Sequence, residues 1–319
     1  MTVQPAAATT PAATAAITTT RAYLQLILTV GIWGGYFVVA KKGVDEASPL
    51  ALSAGRYVIG GAILLGLALR SRPFPRPSRR EWVLLGAMGF TSVFGFNVLS
   101  FIAFELAPAS DGALIMPTMP TLFILPLAAL LFGEHPGRWQ FAGLALLLLG
   151  EFFVFREALF SADINGERLG GIALFFTAAF LWAIYTLCAR ALGGRISPIH
   201  ATLYAVALGA VFLIPIGAWP LANELRDDAA PGLLVALFYL GALQTVVGLI
   251  WWFQGVQAIG AARAAVINTL VPVVALVLAA FFLNETPGPE RIAGAALVVA
   301  GVGIASVVGA PVARKFLPP

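Results

Sequence analysis

Apolar runs of about 20 residues, each long enough to cross a hydrocarbon core of roughly 30 Å, recur along nearly the whole chain. Ten can be read, at 22–40, 50–69, 82–105, 112–133, 138–155, 169–189, 198–219, 232–257, 264–283 and 290–309. In hydrocarbon the backbone must satisfy its own hydrogen bonds, so runs of this length are helices. Composition supports that reading, with 60% hydrophobic and 11% charged residues, where a soluble domain carries roughly a quarter charged. The first run is too long for a signal-peptide core and no small-residue cleavage site follows it, so it is expected to remain as a span. Residues 1–20, rich in Ala and Thr without apolar periodicity, are expected to form a disordered tail.

Charge sets the expected orientation. With the N-terminus inside, twelve Lys and Arg residues fall on the cytoplasmic face and six on the other, the densest cluster being RSRPFPRPSRR between spans 2 and 3. That bias predicts cytoplasmic termini, with the chain in a bacterial inner membrane. The basic balance, a pI near 9.5, then needs no nucleic-acid partner. The one cysteine, Cys188, lies in a span and can form no internal disulfide.

The chain also repeats itself. WGGYFVVAK from Trp33 returns 149 positions later as WAIYTLCAR from Trp182, and Ser48-Pro49-Leu50 returns at the same offset as Ser197-Pro198-Ile199. EHPGRWQFAG from Glu134 returns as ETPGPERIAG from Glu285, an offset of 151. Three matches in one order predict two homologous halves: a first five-helix repeat at 21–155, a linker at 156–168, a second repeat at 169–310 and a cytoplasmic tail at 311–319. Because five is odd, the halves are expected to lie in opposite orientations. The fold class is thus an all-α polytopic membrane protein, ten transmembrane helices in two inverted five-helix repeats around a central cavity. Inverted repeats place a substrate near the membrane midplane, between the repeats, in secondary transporters.

The five-plus-five plan, the early Trp-Gly in span 1 and the E-x-P-G-x-x-x-x-A-G segments leading into spans 5 and 10 resemble the EamA branch of the drug/metabolite transporter superfamily. Within it the chain looks most like YddG-type exporters of aromatic and other neutral amino acids. The resemblance implies a basket of spans 1–4 and 6–9 around the cavity, with spans 5 and 10 packed outside. Gly301, Ala305 and Gly309 in span 10 repeat at four-residue spacing, a stripe that lets helix backbones approach closely.

Polar and aromatic groups inside the spans are the candidates for the cavity wall. Trp33 and Tyr36 share one face of span 1, three residues being nearly one helical turn, and Trp182 with Tyr185 do the same in span 6. Interfacial or core packing is the competing role for all four. Asn97, Gln244 and Asn268 are candidate substrate ligands or interhelical hydrogen bonds, and Trp251 is placed toward the cytoplasmic mouth. Arg56 is the basic residue well inside a span; its expected role is a structural or gating ion pair with Glu105 or Asp111, the alternative being capture of a substrate carboxylate. His200 is expected to be a hydrogen-bonded helix residue, with protonation as the alternative.

What is missing narrows the function. Span 1 carries no acid of the kind the proton-coupled cation antiporters of the superfamily use, and no Lys/Arg cluster inside the spans would hold a phosphate. Two histidines and one cysteine give no metal site and no nucleophilic triad. VGIWGGYF from Val30 lacks the spacing of a nucleotide-binding loop, so neither ATP nor another cofactor is expected. The reading is a secondary transporter, not an enzyme. It exports small neutral or zwitterionic metabolites, amino acids with an aromatic bias foremost, by alternating access, its partners being that substrate and the lipid bilayer. Another metabolite or a lipophilic toxin is the alternative cargo, and an intramembrane enzyme the alternative class.

Overall fold

The computed structural model describes residues 18–44, 46–71, 73–107, 109–133, 137–160, 165–226, 231–282 and 288–307. Among them every regular element is helical: α1 (Thr19–Val44), α2 (Pro49–Arg70), α3 (Arg79–Leu106), α4 (Ala109–Phe132), α5 (Arg138–Phe160), α6 (Gly166–Leu192), α7 (Pro198–Arg226), α8 (Pro231–Ile259), α9 (Ala261–Asn268), α10 (Val271–Phe282) and α11 (Pro289–Val307). Among the described residues seven helical segments are long and apolar enough to cross a bilayer. Large apolar side chains such as Leu130, Val211, Trp219 and Phe281 face outward, while Gln25, Arg56, Asn97, Asp111, Gln244 and Asn268 are buried. Apolar outside and polar inside is the arrangement a hydrocarbon solvent selects, and the chain is a multi-pass membrane protein.

Local chemistry places the helix ends. Ser48 caps α2 by accepting the Ala51 N–H, with Pro49 at the first helical position, where its missing N–H costs nothing. Ser78 and Glu81 form a reciprocal capping box at α3. Asn165 caps α6 through the Arg168 N–H at 2.8 Å, and α6 ends at Gly193, whose φ of 68° suits a residue without a Cβ.

Two features depart from ten simple helices. The ninth apolar run is broken between Asn268 and Val271, because Pro272 has no N–H to donate and its ring would clash with the carbonyl four residues back. α3 and α8 each contain a π-helical stretch, Gly89–Phe96 and Tyr239–Gly248; such wide turns insert an extra residue per turn and change which side chains face inward beyond them.

Close backbone approach sets the packing. α5 lies against α11, where Gly143 meets Gly301 and Ala305, and Gly150 meets Gly294 and Val298. A Cβ at Gly143 or Gly301 would lie within 3 Å of partner backbone, so the small-residue stripe expected in span 10 is a real contact surface over Gly301 and Ala305. Gly309 lies outside the described residues. α2 crosses α7 where Gly217 faces Ala54, and α6 meets α3 where Gly171 faces Ala107.

Candidate functional site

Among the described residues the helices line a cavity whose empty space, open mouth included, is about 580 Å³. α1 contributes Trp33 and Tyr36; α2 Arg56 and Tyr57; α3 Ser92 and Phe96; α4 Met116 and Pro117; α6 Trp182; α8 Gln244 and Leu249; and α9 with α10 Asn268 and Val271. Among the described residues α5 and α11 contribute nothing to this wall, and neither does α7, which packs against α2 and the π-helical part of α3.

Aromatic rings form one side. The Trp33 ring stands edge-on to Trp182 with centroids 5.2 Å apart, and Trp252 tilts against both at 5.3 and 5.9 Å. Phe96 approaches Trp182 at 5.4 Å from α3. Gly248, in the π-helical stretch of α8, makes room for the Trp33 indole, since a Cβ there would sit 2.6 Å from its Nε1. The motif read twice in the sequence therefore brings its two tryptophans into direct contact. Its two tyrosines part company: Tyr36 lines the cavity, whereas Tyr185 lies buried behind Trp182 at 4.9 Å.

A polar part of the lining is centred on Arg56. Its Nε donates to Thr245 Oγ1 at 2.8 Å and its Nη1 to Asn97 Oδ1 at 3.3 Å. Both acceptors are fixed in turn. Thr245 Oγ1 donates to the Leu240 carbonyl at 2.8 Å, and Asn97 Nδ2 donates to Tyr57 Oη at 2.7 Å and to the Ser92 carbonyl at 2.9 Å. Leu240 and Ser92 each lie five residues upstream, within the π-helical turns. Asn97 thus supports Arg56 from below the wall.

Arg56 does not pair with Glu105 or Asp111. Arg168 at the start of α6 takes Asp111 in a bidentate bridge, Nε to Oδ2 at 2.8 Å and Nη2 to Oδ1 at 3.0 Å, while Glu105 is exposed at the end of α3. The expected pair put the right acid with the wrong cation, since Arg168 sits in an interhelical contact that a loop reading hid.

Trp251 is absent from the wall, and its neighbour Trp252 meets the other two tryptophans instead. One residue is about 100° of helix rotation, and the preceding π turns shift the phase. Gln244 and Asn268 do line the cavity, with Asn268 Nδ2 also donating to the Pro117 carbonyl at 3.1 Å. His200 lies away from it, with Nδ1 2.7 Å from Ser197 Oγ and its ring edge-on to Phe74. Among the described residues no group of His, Cys, Asp and Glu could hold a metal ion.

Sequence reasoning passed over Tyr57, Phe96 and Thr245. Tyr57 follows Arg56 directly and Thr245 follows Gln244, so both were legible as polar neighbours of flagged residues. It also passed over Glu151, an acid inside an apolar run, which is buried on α5 facing Thr118.

Known proteins share this architecture. Over 87% of this chain and 92% of its own length, the probable amino-acid metabolite efflux pump of Salmonella typhimurium is 31% identical. The probable terminal-alkyne amino-acid exporter of Streptantibioticus cattleyicolor is 28% identical over 88% of this chain and 92% of its own. A solved crystal structure at 22% identity superposes with a TM-score of 0.73 over 94% of this chain and 100% of that one, which establishes a shared fold. The model of the EamA-like transporter family matches twice, at residues 20–156 and 169–307. With that unit present in both halves of a helical array that turns an apolar surface outward, the chain belongs to the EamA-like transporter family.

Proposed function

We propose that the chain exports small neutral or zwitterionic metabolites, foremost amino acids with aromatic side chains, by alternating access at the cavity between its two halves. The observation that carries this reading is the wall itself. Trp33 and Trp182, equivalent positions of the repeated motif, meet edge-on in the wall of a cavity that Arg56, Gln244 and Asn268 also line. Aromatic pairs contribute roughly 0.5–1.5 kcal/mol each beyond the area they bury, so such a wall selects flat apolar side chains. The two relatives named above bear amino-acid exporter names, which supports the same substrate class.

We infer ten crossings in a five-plus-five inverted arrangement, with α1, α5 and α11 crossing as well and α9 with α10 making one span. Two observations support the duplication: the π-helical stretches of α3 and α8 begin at Gly89 and Tyr239, 150 positions apart, and α5 pairs with α11 outside the cavity wall. Both termini are cytoplasmic in a bacterial inner membrane, and transport runs down the substrate gradient without ATP or another cofactor.

Two measurements test the proposal. Single cysteines at Arg76 and Gly194 in a Cys188→Ala background are expected to react with impermeant reagent from the cytoplasmic side, and those at Glu46 and Arg226 from outside. Labelling of the Gly194 position from outside would break the inverted scheme. For the substrate, a panel of radiolabelled amino acids in proteoliposomes is expected to show flux of phenylalanine, tyrosine and tryptophan without chemical change. Chemical conversion, or flux confined to unrelated solutes, would overturn the assignment.

A further inference from the structure

Among the described residues the cation at the cavity forms no ion pair. Arg56 is 6% exposed, and among the described residues its hydrogen bonds go to two neutral groups, Thr245 and Asn97. Tyr57 adds an aromatic ring 4.8 Å from its Cζ. Among the described residues none of the acids pairs with it: Asp111 bridges Arg168, Glu81 Arg195 and Glu290 Arg156, Glu224 accepts from the Ser48 N–H, Glu105 is exposed, and buried Glu151 faces Thr118 from α5, outside the cavity lining. Among the described residues that line the cavity none is acidic. A charged side chain inside a membrane protein is costly and ordinarily pairs or lines a water-filled path.

The support beneath it is also one-sided. A guanidinium carries five N–H donors in a rigid fork. Nε and one N–H of Nη1 are used, and Nη2 makes no hydrogen bond among the described residues. Asn97 is held with its Nδ2 toward Tyr57 Oη and the Ser92 carbonyl, so its oxygen must face the arginine. Thr245 gives its proton to Leu240, so it too can only accept. The π-helical turns of both halves thus converge on one side chain and fix a planar fork at the cavity wall, with donors left over.

We propose that Arg56 is the carboxylate anchor of the transport site, and that the site takes aromatic monocarboxylates whether or not they carry an α-ammonium group. A guanidinium binds a carboxylate bidentately and strongly in a water-poor setting. For the ammonium the wall offers only neutral acceptors, such as Gln244 Oε1 and Asn268 Oδ1, neither of which has a donor now. The carboxylate is therefore the required group and the ammonium dispensable. The inference rests on the cavity being the transport site.

The test is binding to the purified protein in detergent, by calorimetry, with phenylalanine, 3-phenylpropionate and phenethylamine as probes. The two carboxylates are expected to bind within about tenfold of one another, and phenethylamine at least roughly tenfold more weakly than either, the loss of a charge-assisted hydrogen bond. Arg56→Met is expected to remove the advantage of the carboxylates, and Arg56→Lys to restore part of it as a point charge. Equal binding of all three probes, or phenethylamine binding best, overturns the anchor while leaving the aromatic site standing. Binding of none of them overturns the site itself. If Arg56→Met fails to fold, the probe series on the unmodified protein decides alone.

Discussion

Replacing Asp111 with alanine is expected to destabilise the protein by about 3–5 kcal/mol, the penalty of leaving a buried charge without its partner. Asp111 and Arg168 are 2% and 4% exposed and joined by two short hydrogen bonds. They link the first turn of α4 to the first turn of α6, the helix that carries Trp182. Their mutual attraction offsets their desolvation only while both are present, so either single removal is worse than removing both. The double variant Asp111→Leu with Arg168→Met is expected to melt well above either single variant in detergent, since two apolar side chains of similar size demand no counter-charge. Single variants that melt like the parent would show that the pair carries no weight in the fold.

Trp33→Ala and Tyr185→Ala are expected to fail in opposite ways. Trp33 is partly buried and lines the cavity through its contacts with Trp182 and Trp252. Its truncation widens a space that is already open, so melting falls little while phenylalanine flux drops by about tenfold or more, the loss of one to two stacking contacts with the burial they bring. Tyr185 is 2% exposed and packed behind Trp182. Removing its ring leaves a void in close-packed surroundings, at about 3–5 kcal/mol. Phe281→Ala serves as control, its ring being 79% exposed on α10. Equal losses of stability at positions 33 and 185 would place Trp33 in the core and remove it from the site.

The spans and their rough limits were legible because hydrocarbon demands long apolar helices, and a run of 20 such residues has few other uses. The repeated Trp-x-x-Tyr motif was legible as well, since one period of helix puts its two rings on one face. Which ring faces the cavity was not. Tyr185 and Tyr36 hold the same place in the motif, yet their depth depends on how α6 and α1 rotate against neighbours far away in sequence. That Trp252 and not Trp251 would meet the other two tryptophans was not legible either, because the π-helical turns of α8 carry no sequence signature that a 3.6-residue period would reveal. The partner of Arg56 was misjudged because nearness to the same end of the membrane says nothing about which helices touch. Glu151 differs from these, for an acid in the middle of LALLLLGEFFVF is visible without any structure.

The repeated tryptophans also explain the economy of the fold. The two tryptophans of the repeated motif touch, and the π-helical stretches of α3 and α8 help bring two polar residues, Asn97 and Thr245, to one arginine. The tryptophans and Arg56 thus line one cavity, while α5 and α11 pack against each other outside its described wall.

The central claim, that this cavity carries aromatic amino acids across the membrane, is tested most directly by counterflow. Proteoliposomes loaded with unlabelled phenylalanine and diluted into a trace of labelled phenylalanine should accumulate label transiently, because a carrier exchanges one bound substrate for another. The account predicts accumulation for the unmodified protein and for Phe281→Ala, and a strongly reduced peak for Trp33→Ala at equal amounts of folded protein. Undiminished counterflow in Trp33→Ala, or none with any aromatic amino acid in the folded unmodified protein, would contradict it.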